Sequence, residues 1–326
     1  MSLTRRSALA ALATAASPLA ARAQAVEQPR ILYGFPPGSA GDVVARRVAE
    51  RLAGSAYAKN AAVVENRAGA GGRLALEALK AAPADGSVLA LTPFTATVIY
   101  PHVYRRLAYD PLADFAPVAI AALAHHGLAV GPLVPATVTD VKGFVAWARA
   151  NPDHASYGSP GAGSTPHFLG ALLGLGQNLE LRHVPYRGSV PGVTELLGGQ
   201  VAAMLTPAGD FLAHHRSGKL RLLATSGRAR LPFAPEVPTF AERGLAELTV
   251  EEWFGFYAPA PTPPRLVASA SSAINAALKD RSVVDGLAAV GLLAQGSTPE
   301  EMARSQRAEH ERWGPLVRRV GFTADS

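Results

Sequence analysis

The chain has 326 residues, 48% of them hydrophobic and 17% charged, with no cysteine and a formal net charge of +6. This composition fits a soluble globular protein of one large domain or two ordinary ones, and it excludes disulfides, thiolate metal sites, a cysteine nucleophile and a cysteine-linked lipid anchor. Arg5, Arg6 and Arg22 lie in the first 23 residues, so the remainder carries only +3, and no long basic run or aromatic–basic repeat marks a nucleic-acid groove.

The N-terminus reads as an export signal over residues 1–23. Arg5 and Arg6 form a charged start, residues 8–21 a small-residue apolar stretch, and Ala21-Arg22-Ala23 an A-x-A cleavage site. The apolar stretch is too short to span a bilayer permanently. The paired arginines allow twin-arginine export, and general secretion stays open.

Strand and helix patterns then alternate. Residues 30–35 read as a strand and 42–53 as a helix with Val44, Val48 and Leu52 on one face. Residues 62–65 read as a strand, 73–81 as a helix, 88–92 as a strand and 118–130 as one long extended stretch. A helix over 141–150 stops at Asn151-Pro152-Asp153. Strand, Gly-rich loop and helix recur at 155–175 and again at 181–197, and 220–225 is a further strand. The last third is helical in pattern, with a Pro-rich connector at 258–264 and a helix opened by Thr298-Pro299-Glu300-Glu301. Alternation of this kind predicts an α/β protein with mostly parallel sheets flanked by helices.

Three loops share one design: PPGSAGD (36–42), GSPGAGSTP (158–166) and RGSVPG (187–192) each join a predicted strand to a predicted helix. A helix start offers free N–H groups and a partial positive charge. Glycine admits a ligand to the backbone, and Ser or Thr adds hydroxyls, so such loops can hold an anion without lysine. In open α/β sheets ligands sit beyond the strand ends, where these loops lie. For any single loop, plain capping by Asp42, Ser164 or Thr165 is the simpler account; three alike shift the balance toward a site. If these loops are the grip, Ser39→Pro or Thr165→Pro removes a donor and weakens binding. A carboxylate at Asp42 would repel an anion, so it caps its own helix, and Asp42→Asn should preserve binding.

Enzyme motifs fare worse. The spacings of a dinucleotide loop, a phosphate-binding loop and a nucleophile elbow all fail. His125–His126 and His214–His215 are adjacent pairs, which cannot share a face; they read as surface or hinge residues, and no metal site is expected. His167 and His183 lie near candidate loops. Phe35, Phe94, Tyr157 and Tyr186 lie at loop edges, as core or as apolar walls of a pocket.

The ordered motifs FPPGSAGD, ENRAGAGG, PADGSVL, YRRLAYDPLADFAPV, YGSPGAGSTPHFLG, HVPYRG, LLGGQV, EVPTFAERG and WFGFYAPAPTP closely resemble the extracytoplasmic solute-binding receptors of the tripartite tricarboxylate transporter family, the Bug-type proteins, over about residues 29–322. The resemblance implies a type II-like periplasmic binding protein of two lobes, 24–124 with 228–326 and 125–227, joined by two crossing segments. It implies a monomer in the periplasm, with no cofactor, that closes on a small carboxylate and serves membrane subunits of a tripartite transporter. A sensor-linked receptor is the alternative, and an exported hydrolase using Asp42 or His167 as base a remoter one. The expected ligand-binding set is Phe35, Gly38, Ser39, Ala40, Asp42, Thr92, Phe94, Ser159, Gly161, Ala162, Ser164, Thr165 and Tyr186. Two departures stand out. Ser39 replaces a usual glycine, and Ala202 replaces a frequent acid after Gly199-Gln200-Val201, which predicts a less polar far wall if the strand end running to Thr206 borders the pocket.

Overall fold

The computed structural model describes residues 25–324; the expected export signal lies outside the described residues. Three of the expected strands are found as β1 (Arg30–Tyr33), β2 (Val63–Asn66) and β3 (Val88–Pro93), with α1 (Ala40–Arg51) and α2 (Arg73–Lys80) between them. β1 lies between β2 and β3, parallel to both. After the short α3 (Tyr100–Val103), the stretch read as one extended run is two strands, β4 (Phe115–Ala124) and β5 (His126–Val130), in different sheets. His125 alone separates them.

The second sheet contains β6 (Ser156–Ser159), parallel to β7 (Arg182–Pro185) and β8 (Ala203–Pro207), with β5 antiparallel to β8 and to β9 (Arg221–Thr225). Around it run α4 (Val141–Ala150), α5 (Thr165–Gly176), α6 (Ser189–Leu197) and α7 (Gly209–Arg216). The chain returns to the first sheet as β10 (Glu252–Pro259), antiparallel to β3 and β4. α8 (Pro264–Ala277), α9 (Arg281–Ala289), the two-residue β11 (Leu293–Ala294) and α10 (Pro299–Val320) complete it.

Both sheets are therefore mixed. The expected parallel order holds for β1–β3 and β6–β8, whereas β4, β5 and β10 carry the chain between sheets and pair antiparallel, which needs no crossover helix. The last third, read as helical, contains the central strand β10. All eight of its residues are buried, so it lacks the alternation of a strand with one wet face.

Alternation sorts the core. Val88 and Ala90 of β3 face one apolar cluster, Leu89 and Leu91 the other. The first cluster runs unbroken from Leu76 and Phe94 beside the first sheet to Phe144, Phe168 and Leu205 beside the second. α10 joins the two halves: the Trp313 ring meets the edges of Phe94 at 6.2 Å and Phe168 at 5.9 Å. The start of α10 carries the full expected capping box between Thr298 and Glu301. Residues 228–251, expected in the first lobe, place Ala234 and Val237 in the second sheet's own cluster with Met204 and Phe211. Thr225 also exchanges backbone bonds with Pro238 and Phe240. The return crossing thus lies at residues 250–252.

Candidate functional site

β1 and β3 of the first sheet, and β6 and β8 of the second, deliver their carboxyl ends to one region. Thr95, just past β3, and Thr165, just past β6, touch through their hydroxyls at 2.8 Å. The two sets of strand ends therefore face each other.

The first loop is built around Asp42. Burial alone would raise its carboxyl pKa; the Arg46 guanidinium, the Gly38 N–H and the Asn66 amide outweigh burial and hold it below the ordinary value. Asp42 Oδ2 accepts from Gly38 N–H and Arg46 Nε, each at 2.9 Å, and Oδ1 accepts from Asn66 Nδ2 at 2.8 Å. Asn66 also binds the Phe35 carbonyl at 3.0 Å. Gly38 has φ +81°, a left-handed conformation that glycine adopts without strain. Ser39 turns its hydroxyl back to the Pro36 carbonyl at 2.8 Å and makes no side-chain cap. Helix geometry leaves the first-turn N–H groups of α1, from Ala40 on, without intrahelical acceptors. Asp42 shapes the loop, and Gly38, Ser39 and Ala40 present it. Phe35 lies over Gly72, where an added Cβ would come within 2.9 Å of its ring.

The second loop is braced from below. Ser159, fully buried, shares a 2.7 Å hydrogen bond with His183 Nε2 and donates to the Gly161 carbonyl at 3.0 Å. Ser164 caps α5, as expected, accepting from His167 N–H, and donates to Gly161 O at 2.6 Å. Gly161 and Ala162 remain at the accessible tip. His167 Nδ1 accepts from Gly163 N–H at 3.1 Å, which puts its own proton on Nε2. Its ring stacks on His183 with centroids 4.0 Å apart. Burial, then the neighbouring His183, lowers the His167 pKa to about 3, and burial lowers His183 to about 4. Both rings are neutral near pH 7.

The floor is the double crossing. His125 and His126 are buried and face an adjacent pair of acids: His125 Nε2 lies 3.5 Å from Glu251, and His126 Nε2 2.7 Å from Glu252. The surface half of the reading fails for this pair, which is buried where the chain passes from one sheet to the other. Glu252 also accepts from the Thr95 hydroxyl and N–H. Sequence reasoning missed Thr95 and Glu252, whose roles exist only where the two crossings meet, and Asn66, whose partners lie in another loop.

The remaining expected residues divide. Thr92 is buried at the end of β3, its hydroxyl on the Pro93 carbonyl at 3.3 Å. Phe94 is core: its ring packs edge-on to Trp253 at 4.9 Å. Tyr186 donates its N–H to Ser159 O at 2.9 Å, and its ring covers Gly158 and Gly192. Ala202 is fully buried in the core and borders no cleft, so it does not make the far wall less polar. The end of β8 itself is polar: the Thr206 hydroxyl bonds Ser189 at 2.6 Å and Asp210 at 2.7 Å.

The arrangement offers N–H groups and hydroxyls, with no lysine or arginine pointed inward from either loop, which suits reversible capture of an anion with water as a relay. Known proteins resemble the chain over nearly its whole length. BugT of Bordetella pertussis is 33% identical over 326 residues, covering 98% of this chain and 99% of BugT. The solved R. palustris protein with adipate has a TM-score of 0.81 at 30% identity and covers 92% of this chain and 99% of its own. MatC from Rhodopseudomonas palustris, with bound malate, has a TM-score of 0.78 at 28% identity, covering 90% and 99%. The family model described as the tripartite tricarboxylate transporter family receptor matches residues 44–322, and the chain belongs to that family.

Proposed function

We propose that this protein is an exported solute-binding receptor that captures a small carboxylate between two lobes and delivers it to the membrane subunits of a tripartite transporter. The observation that carries the reading is a pair of lysine-free helix starts, α1 following β1 and α5 following β6, one in each α/β unit, whose strand ends are linked by the Thr95–Thr165 contact. A carboxylate there accepts from Ala40 and its neighbours on one side and from the 161–165 loop on the other. It favours the closed arrangement by its differential affinity for it. The adipate and malate bound to the R. palustris relatives support the ligand class. We assign the first lobe to residues 25–124 with 252–324 and the second to 125–251. A periplasmic monomer completes the reading; among the described residues no helix is long and apolar enough to cross a membrane.

Native mass spectrometry of the freshly purified protein, followed by thermal shift with a carboxylate panel, tests this. The expected result is a retained small carboxylate, or a stabilising shift with at least one carboxylate. No retained anion and no shift across the panel overturns it.

A hydrolase has one observation behind it, the Ser159–His183 pair. A nucleophilic serine needs an accessible hydroxyl and a base oriented by a third group. Ser159 is fully buried, its hydroxyl also meets Gly161 O, and no carboxylate bonds His183 among the described residues. The pair braces the loop. Ester hydrolysis abolished by Ser159→Ala would favour the enzyme.

A further inference from the structure

The carboxylate reading leaves the far end of the ligand unassigned, and the end of β8 bears on it. Thr206, fully buried near that end, holds a short polar chain: Ser189 Oγ, from the first turn of α6, at 2.6 Å, and Asp210 Oδ2, from the first turn of α7, at 2.7 Å. β8 runs parallel to β6, so Thr206 and Asp210 sit on the same edge as Ser159 and the second loop. That edge faces the first sheet. At its hinge end the backbone of Gly209 closes on that of Gly291, so tightly that a Cβ on Gly291 would lie 2.3 Å from Gly209.

Asp210 has two properties that rarely coincide. Its side chain is open to solvent, yet the protein around it desolvates the carboxyl and pushes its pKa up, against the Thr206 and Ser189 hydroxyls and the nearby charge of His126. Its Oδ2 lies 2.7 Å from the hydroxyl of the fully buried Thr206, so one side of the carboxyl is turned to the interior while the residue itself stays exposed. A first-turn acid is ordinarily satisfied by the helix dipole or a surface cation. Asp210 has no salt bridge among the described residues, and the nearest candidate cation, His126, gives its Nε2 to Glu252 and leaves its buried Nδ1 without a partner. A carboxylate with hydroxyls behind it and no protein cation in front has room for a cation or donor brought by the ligand.

We propose that Asp210, held by Thr206 and Ser189, is the specificity-determining residue for the far end of the ligand, and that it selects a carboxylate whose other end is a hydrogen-bond donor or ammonium group over one ending in a second carboxylate. The inference rests on the carboxylate reading, because the loops must first hold the near end. It reverses the less polar wall expected from Ala202: the polarity lies four and eight residues further on. A second carboxylate placed there would oppose Asp210 across a desolvated gap, whereas an ammonium would form a charge-assisted pair.

The test is isothermal calorimetry with length-matched pairs: β-alanine against succinate, γ-aminobutyrate against glutarate, δ-aminovalerate against adipate. The full mature protein is expected to favour the ammonium member of its best pair by about tenfold or more. Asp210→Asn keeps the size and loses the charge; it should cut the preference to about threefold or less while changing the Kd of the dicarboxylate little or lowering it. Thr206→Val, which leaves the carboxylate in place but frees it, should lower the preference partway. A preference for the dicarboxylate, or one unchanged by Asp210→Asn, overturns the inference and leaves the carboxylate reading standing. Binding of neither series also overturns it, and only a blank in the native mass spectrum and the wider panel removes the carboxylate reading as well.

Discussion

The Thr95 hydroxyl lies between Glu252 and Thr165, donating to the acid and standing 2.8 Å from the other hydroxyl. Its single proton is committed to the carboxylate, so it accepts from Thr165. A residue at the crossing is thereby linked through one side chain of the first lobe to the first residue of α5. The link ties the residues where the chain passes between the sheets to the second loop.

Thr95→Val should weaken carboxylate binding by about 5- to 30-fold, the equivalent of roughly 1–2 kcal/mol for a hydrogen bond to a charged group together with a buried acid left short of a donor. Thr165→Val should cost less, because it leaves the Thr95–Glu252 bond intact. The double variant should bind about as well as Thr95→Val alone, since both changes remove one link. Calorimetry that finds the two losses additive would show that the hydroxyls do not act as a pair.

Ala40 offers a cleaner probe of the first loop than the Ser39→Pro change that sequence alone selects. The Ser39 N–H is already turned toward the Pro36 carbonyl at 3.4 Å, so proline there disturbs the turn. Ala40 is the first residue of α1, a position that proline favours, and Ser39 before it has φ −70° and ψ 160°, as a residue before proline requires. Ala40→Pro should therefore weaken binding about tenfold or more with a Tm within a few degrees of the parent. Unchanged affinity would remove the α1 start from the grip.

Asp42→Asn should not be silent, contrary to the reading from sequence. The side chain accepts three hydrogen bonds, one of them from Arg46. An amide can supply only one acceptor oxygen and turns an NH2 toward Asn66. Asn66 cannot rotate to match, because its own oxygen accepts from Arg46 and its nitrogen also serves the Phe35 carbonyl. The loss should be about 1–3 kcal/mol, seen as a Tm lower by several degrees and as weaker binding through a loosened loop. A Tm and Kd equal to the parent's would show that the Asp42 bonds are dispensable.

What the sequence made legible follows from how local each signal is. The Ser164 cap of α5 and the Thr298–Glu301 box are written in consecutive residues and stand as read, whereas α1 begins at Ala40 after Ser39, so that Asp42, read from sequence as the cap, lies inside its first turn. β10 was missed because a strand buried on both faces shows no alternation, and Phe94 was placed at a ligand wall because an aromatic before a turn looks the same whether it faces a cleft or Trp253. The pairing of His125–His126 with Glu251–Glu252 could not be read, since 126 residues separate the partners His126 and Glu252. The setting of Asp210 is hidden for a related reason: it accepts from Thr206, whose own partner Ser189 belongs to a different strand–helix unit.

The stacked pair His167 and His183 should make the protein sensitive to acid. The ordinary histidine pKa is 6.5; in the folded chain burial, and then the neighbouring His183, bring His167 to about 3, and burial brings His183 to about 4. Between these values the unfolded chain takes up protons that the folded chain refuses, so stability is full above about pH 6.5 and falls as pH drops toward 4. Each histidine can contribute up to about 1.4 kcal/mol per pH unit in that window, the half-buried His183 less because solvent screens it. His102, lowered by burial and then by the neighbouring His310, acts in the same direction. Urea unfolding between pH 7.5 and 5 should show this decline, above the range in which most carboxylates titrate. His183→Gln removes one titration and the repulsion on His167, and should flatten the slope; an equal slope in the variant would show that acid acts elsewhere. Carboxylate affinity belongs to the folded chain, in which both rings stay neutral down to about pH 4, so it should hold steady over the same pH range while the stability declines.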